Sequence, residues 1–126
     1  MAEQNSCMCS GGPTLIFACS GAADVGAVAD QAARKLSADQ KGKMFCLAGI
    51  GGRVPGIMKT TEAAARILAI DGCPLNCVKG TLEQAGFKNF LHLQMAELGM
   101  EKGKTPPSPQ AVGQVVDKAC AMLTCK

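Results

Sequence analysis

Short apolar runs alternate along most of the chain with segments whose apolar residues recur at helical spacing. The apolar runs predict buried strands at 14–18, 43–48, 67–70 and 89–93. The helical spacing predicts helices at 22–36, 74–85 and 110–123, with a shorter one at 62–66. Thr60 or Thr61 can cap the short helix, and Pro74 suits the first turn of the helix that it opens.

This alternation favours an α/β fold in which a mainly parallel sheet is covered by helices on both faces. We expect a three-layer α/β/α domain with a four-stranded sheet in the order 2-1-3-4. Residues 1–13 are polar and Gly-containing, and we predict that they form a mobile lead. Residues 14–126 then form a single domain, with a loop at 99–109.

Composition narrows the range of partners. The chain has 126 residues and is 48% hydrophobic, but it contains four Phe and neither Trp nor Tyr. With so few aromatic residues, stacking on nucleic-acid bases is disfavoured. The net charge is only +3 and the lysines are scattered, so we expect no nucleic-acid partner. No apolar run is long enough to cross a bilayer, and the lead lacks the apolar segment of a secretory signal. We therefore expect a cytoplasmic protein without a membrane partner.

Eight cysteines are the most unusual feature of the composition. In a reducing cytosol, clustered cysteines more often bind metal or perform redox chemistry than form disulfides. Four of them, Cys19, Cys46, Cys73 and Cys77, lie at or near the ends of predicted strands. Because ligands of parallel sheets bind beyond the carboxyl ends of the strands, these thiols can meet at one edge. Tetrahedral zinc takes four such ligands, so we predict a zinc site.

The four candidate ligands differ in how the pattern supports them. Cys73 and Cys77 are four residues apart in a predicted helix and would share one of its faces. The positive end of that helix would favour their thiolate forms. Cys46 lies within a predicted strand, where alternation could instead turn it into the core. Cys7 and Cys9 on the lead are rival ligands or a flap over the site, whereas Cys120 fits the apolar face of the last helix.

Other polar residues near these thiols have candidate supporting roles. We expect Asp71 and Ser20 to support the metal ligands by hydrogen bonding. Asp71 has two alternatives, a general base or a plain turn residue. His92 stands between two leucines of a predicted strand, which favours a structural, hydrogen-bonded histidine over a ligand.

Three functions remain open at this point. One is a zinc-binding protein with a structural or metal-handling role. Another is a thiol-transfer, sulfur-transfer or redox enzyme, in which three cysteines hold zinc and leave one position open. The third is an iron–sulfur protein, since four cysteines also hold such clusters. The expected partner is a metal ion, and an exposed aliphatic helix face would favour a homodimer.

Three motifs in order resemble the DGC-domain family, which is described as zinc-binding proteins of prokaryotes. They are Cys19 to Gly26 (CSGAADVG), Cys46 to Gly49 (CLAG) and above all Ile70 to Cys77 (IDGCPLNC). The resemblance covers roughly residues 7–103. It implies that Cys19, Cys46, Cys73 and Cys77 are metal ligands in a prokaryotic cytosolic protein. It also extends to the lead with Cys7 and Cys9, although Met8 stands where the family often has Gly. The resemblance implies no particular reaction.

Overall fold

Within residues 12–124, the part of the chain that the computed structural model describes, four strands form one parallel sheet. Their order is β2-β1-β3-β4, and each adjacent pair is parallel. This confirms the predicted α/β fold class and strand order. The strands are β1 (Thr14–Ala18), β2 (Lys43–Met44), β3 (Arg66–Asp71) and β4 (Leu91–Gln94).

Helices follow or separate the strands as the alternation predicts. They are α1 (Asp24–Ala38), α2 (Leu47–Gly51), α3 (Pro55–Glu62), α4 (Cys77–Gln84) and α5 (Pro109–Leu123), with a 3₁₀ helix at Met95–Leu98. The start of α5 shows why its sequence folds this way locally. The Ser108 hydroxyl accepts a hydrogen bond from the N–H of Ala111, and Pro109 occupies the first turn, where a missing N–H costs nothing.

The sheet is buried on both faces, so two separate cores form. Strand β1 alternates between them: Leu15 and Phe17 point to one face, Ile16 and Ala18 to the other. On the first face they pack with side chains of α2 and α4, and on the second with side chains of α1 and α5. All four side chains are buried, as expected for a parallel strand covered on both sides.

Three predicted boundaries of strands and helices were wrong. The strand predicted over 43–48 ends at Met44, and the chain then leaves the sheet for α2. The helix predicted over 62–66 lies earlier, because Pro55 opens α3 and Glu62 ends it. The helix predicted to start at Pro74 starts at Cys77, because Asn76 adopts a left-handed conformation with φ of 55°. A residue in that conformation cannot continue a right-handed helix.

Two further predictions concern the N-terminal lead and membrane-spanning segments. Most of the predicted lead, including Cys7 and Cys9, lies outside the described residues, as does Cys125. No helix within residues 12–124 is long and apolar enough to span a membrane.

Candidate functional site

The carboxyl ends of β1 and β3 bring the first cysteines together. These strands are neighbours in the sheet, with Ala18 paired to Ile70, so the segments that follow them emerge side by side. The N–H of Cys19 donates to the carbonyl of Ile70 at 3.2 Å. The Cys19 Sγ accepts a hydrogen bond from the N–H of Gly72 at 3.4 Å. The sulfur of Cys19 therefore lies against the residue that precedes Cys73.

The segment Gly72 to Asn76, hereafter the DGC turn, carries Cys73 and leads into α4. Cys73 is partly buried, and Cys77 is exposed as the first residue of α4. Because α4 starts only at Cys77, the two cysteines do not share a helix face, and the prediction that they do was wrong. They are linked instead by a turn, which holds Cys73 near the end of the sheet and Cys77 at the helix N-terminus.

Asp71 anchors α4 to the sheet. Its side chain is only 1% exposed and accepts hydrogen bonds from the N–H of Val78 at 2.8 Å and of Lys79 at 3.1 Å. The Nε2 of His92 lies 2.8 Å from the second carboxylate oxygen of Asp71. The first N–H groups of a helix have no partner within the helix, and a carboxylate at that end is stabilising. Asp71 thus performs the capping that Asn76, in its left-handed conformation, does not.

The pKa of the Cys77 thiol is raised above its ordinary value. Desolvation raises this pKa, and the charges of Asp71, Cys73 and Cys19 raise it further. Lys102 acts in the opposite direction. This direction is opposite to the one predicted from the helix N-terminus, which would favour the thiolate. The two other cysteines among these groups, Cys19 and Cys73, also belong to the predicted site.

Cys46 lies in a different setting. It is exposed and forms the N-terminal cap of α2, where its Sγ accepts a hydrogen bond from the N–H of Gly49 at 3.3 Å. The alternative that strand alternation buries it in the core was wrong, because β2 has already ended. Cys46 is not among the groups whose charges shift the pKa of Cys77. Its role as a ligand stays a prediction.

The N-terminus of α1 closes one side of the DGC turn. A Cβ atom at Gly72 would lie 2.7 Å from the backbone carbonyl of Val25, so only glycine fits this approach. The Asp24 carboxylate accepts hydrogen bonds from the N–H groups of Gly103 and Thr105, both at 2.9 Å. These bonds lower the pKa of Asp24 and attach the loop that carries Lys102 to this end of α1.

Ser20 supports the loop rather than a described thiol. It adopts a left-handed conformation with φ of 52°, and its hydroxyl donates to Asp30 Oδ1 in α1 at 2.8 Å. The predicted support of a metal ligand by Ser20 stays a prediction. Cys120 is partly buried on α5 against the core beneath it, as its apolar helix face predicts.

A zinc site requires suitable donor atoms and a suitable arrangement of them. Thiolates are preferred zinc ligands, and Cys19, Cys73 and Cys77 lie on the two chain segments that emerge at this edge. Within residues 12–124, however, no three His, Cys, Asp or Glu side chains are arranged so that they could hold a metal ion. The three cysteines are thus of the residue type that zinc prefers, but their side chains are not arranged as a ligand set in the described part of the chain.

Sequence reasoning missed one polar residue of this region. Gln94 donates from Nε2 to the carbonyl of Cys73 at 2.7 Å and to Oδ1 of Asn76 at 2.9 Å. His92 was correctly predicted as a hydrogen-bonded structural histidine, but its partner Asp71 was not. Strand alternation was the available signal, since it places His92 and Gln94 on the same face of β4.

Comparison with known proteins identifies a family and a curated relative. The family model of the DGC domain matches residues 15–119. The curated protein "Anaerobic and virulence modulator AnvM" of Pseudomonas aeruginosa is 41% identical over 88 residues, which cover 70% of this chain and 67% of that protein. No solved structure gives a significant match.

Proposed function

The chain belongs to the DGC-domain family, and from this premise we propose that it is a zinc-binding protein whose metal is held by cysteines at the carboxyl edge of the sheet. The observation that carries the proposal is the hydrogen bond from Gly72 N–H to Cys19 Sγ. It joins the cysteine that follows β1 to the turn that bears Cys73 and leads to Cys77. This hydrogen bond supports the proposal because it brings the Cys19 sulfur to the turn that bears Cys73, at the edge where ligands of parallel sheets bind.

Cys19, Cys73 and Cys77 are the residues that would hold the metal. Each Cys side chain has a single rotatable χ1 bond with three staggered positions, so a sulfur can move without a change of backbone. Cys77 is exposed and can turn toward the other two. When bound, zinc would hold these sulfurs as thiolates and polarise a fourth ligand. Because the pKa of the free Cys77 thiol is raised, metal binding would release a proton from it at neutral pH.

The identity of the fourth ligand separates two forms of the proposal. A cysteine in that position, Cys46 or one of Cys7 and Cys9, would close the site and favour a structural or metal-handling role. An open position would suit thiol or sulfur transfer, or redox chemistry. The separate setting of Cys46 at the N-terminus of α2 is the observation that supports the open form. A reducing cytoplasm, where thiols stay free, is the compartment that suits either form.

Cobalt substitution tests the proposal. We expect the anaerobically purified chain to bind one Co²⁺ and to develop the intense sulfur-to-cobalt absorption of a thiolate site. Cys73→Ser and Cys77→Ser should lose most of this absorption, whereas Cys120→Ser should keep it. Metal-free protein with all thiols titratable and no cobalt absorption would contradict the proposal.

The same samples distinguish the remaining alternatives. An iron–sulfur protein would be coloured as purified, before any cobalt is added. Retention of the full cobalt absorption by Cys46→Ser, together with its loss in a Cys7→Ser, Cys9→Ser double variant, would assign the fourth position to the lead. Retention in both would support an open fourth position.

A further inference from the structure

Strand β4 contributes two polar side chains to the base of the DGC turn. In the sheet, His92 is paired with Ala69 of β3, and Gln94 is paired with Asp71. Because alternate residues of a strand share a face, His92 and Gln94 lie on the same face of β4. Their contacts show that this is the face on which α4 begins.

His92 acts on the turn through Asp71. Its Nε2 lies 2.8 Å from Asp71 Oδ2, the oxygen that also accepts the hydrogen bond from Lys79 N–H. An ionised carboxylate only accepts hydrogen bonds, so Nε2 is the donor in this pair. The His92 side chain is 20% exposed and that of Asp71 is 1% exposed, so the histidine lies between solvent and a buried carboxylate. His92 therefore fixes the orientation of the group that holds the N-terminus of α4, where Cys77 lies.

Gln94 acts on the turn directly. One side-chain amide spans it, donating to the carbonyl of Cys73 and to the side-chain oxygen of Asn76. The same side chain accepts a hydrogen bond from Ala96 N–H at 2.8 Å, which fixes its position. Gln94, a residue of the sheet, thus stabilises the left-handed conformation of Asn76. That conformation determines the position of Cys77 relative to Cys73.

We propose that His92 and Gln94 are positioning residues of the cysteine metal site. They do not ligate the metal; they hold Cys73 and Cys77 at the separation and orientation from which the sulfurs reach it. The inference rests on the proposed function and adds residues that lie about twenty positions along the chain from the thiols that they position. Residues that orient metal ligands typically contribute 10–100-fold to metal affinity, and we expect a loss of about that size for each.

The test compares zinc affinity with thiol exposure in matched variants. Zinc affinity is measured by competition with a chromophoric chelator, and thiol exposure by the reaction rate of the metal-free protein with a disulfide reagent. Gln94→Met removes the amide but keeps the length of the side chain, and Gln114→Met makes the same change on an exposed position of α5. His92→Leu removes the donor, whereas His92→Gln restores an N–H within reach of Asp71.

We expect Gln94→Met and His92→Leu to bind zinc about 10–100-fold more weakly and to react faster with the disulfide reagent. Gln114→Met should match the wild type in both measurements, and His92→Gln should recover most of the affinity. Circular dichroism of each metal-free variant verifies folding. If His92→Leu does not fold, Gln94→Met decides the result for Gln94, and His92→Ala takes the place of His92→Leu.

Two failures can be told apart. Wild-type protein that binds no zinc would contradict the proposed function, and the inference with it. The inference alone would be overturned if the wild-type protein binds zinc and all three variants bind it with wild-type affinity. These variants are Gln94→Met, His92→Leu and His92→Gln. Loss of affinity in His92→Gln equal to that in His92→Leu would also overturn the role of the Nε2 donor.

Discussion

Replacing Asp71 by asparagine tests how α4 is attached to the sheet. The carboxylate is 1% exposed and accepts three hydrogen bonds, from Val78 N–H, Lys79 N–H and His92 Nε2. Asparagine has nearly the same shape but offers one oxygen. The oxygen can keep the bond to Val78, while the new NH₂ group faces the N–H of Lys79. That N–H loses its partner, and the negative charge at the helix N-terminus is lost.

The size of the effect follows from these losses. A hydrogen bond to a charged group contributes about 1.5–3 kcal/mol. The interaction of a carboxylate with a helix N-terminus adds about 0.3–1 kcal/mol. His92 can retain its contact by changing tautomer, so its bond is not counted as lost. Together these terms predict a decrease of about 2–4 kcal/mol in the free energy of unfolding.

Urea denaturation followed by circular dichroism measures this decrease, since the chain has no Trp for fluorescence. The protein should be metal-free and reduced, because bound metal would add its own stabilisation. With a urea slope of about 2 kcal/mol per M, the midpoint should fall by about 1–2 M. Asp30→Asn is the control: Asp30 accepts from Ser20 and Arg34 on an exposed part of α1, where such pairs contribute less than about 1 kcal/mol. Equal midpoints for Asp71→Asn and Asp30→Asn would refute the capping role of Asp71.

Three further predictions concern the surroundings of the site. Gly26→Ala should destabilise the protein by about 1–3 kcal/mol, because a Cβ there would lie 2.6 Å from a backbone carbonyl oxygen. Its matched control is Gly113→Ala in α5, where nothing lies within 4 Å of the added Cβ and a gain of about 0.5–1 kcal/mol is expected; urea denaturation measures both variants. Asp24 has a folded-state pKa below the unfolded value of 3.8, so its stabilising contribution is present above that pH and lost as the pH falls through the folded pKa. The difference in unfolding free energy between wild type and Asp24→Asn should therefore shrink in acid. Lys102→Gln should raise the pKa of Cys77 further, measured from the pH dependence of thiol alkylation in metal-free protein.

Each of these predictions has an outcome that contradicts it. Stabilisation by Gly26→Ala would show that the start of α1 can move away from the backbone behind it. A difference between wild type and Asp24→Asn that stays constant into acid would show that the attachment of the loop does not depend on the charge of Asp24. An unchanged alkylation profile in Lys102→Gln would show that this lysine does not act on Cys77.

The fold was predictable because it depends on patterns within single segments. Apolar runs at 14–18 and 67–70 identify the central strands, and the helical segments between strands require parallel crossovers. The placement of Cys19 and Cys73 at the carboxyl edge follows from this topology, whereas the order 2-1-3-4 was expected because doubly wound folds have it. Both are confirmed by the sheet register.

The details of the site depend on contacts between segments, which local patterns do not contain. The start of α4 at Cys77 is set by Asn76 in a left-handed conformation and by the distant partner Gln94. Cys46 leaves the sheet because β2 pairs with β1 at only two positions. The support of metal ligands by Asp71 stays a prediction, and its hydrogen bond to His92 was not predicted because it crosses from one strand to the next.

The zinc content of a cysteine series tests the central claim most directly. Each protein is expressed with zinc, purified without oxygen, and analysed for metal per folded chain. We predict about one zinc per chain in the wild type and in Cys120→Ser, and a loss of zinc in Cys19→Ser, Cys73→Ser and Cys77→Ser. Zinc absent from the wild type, or retained equally by all the variants, would contradict a metal site at the carboxyl edge of this sheet.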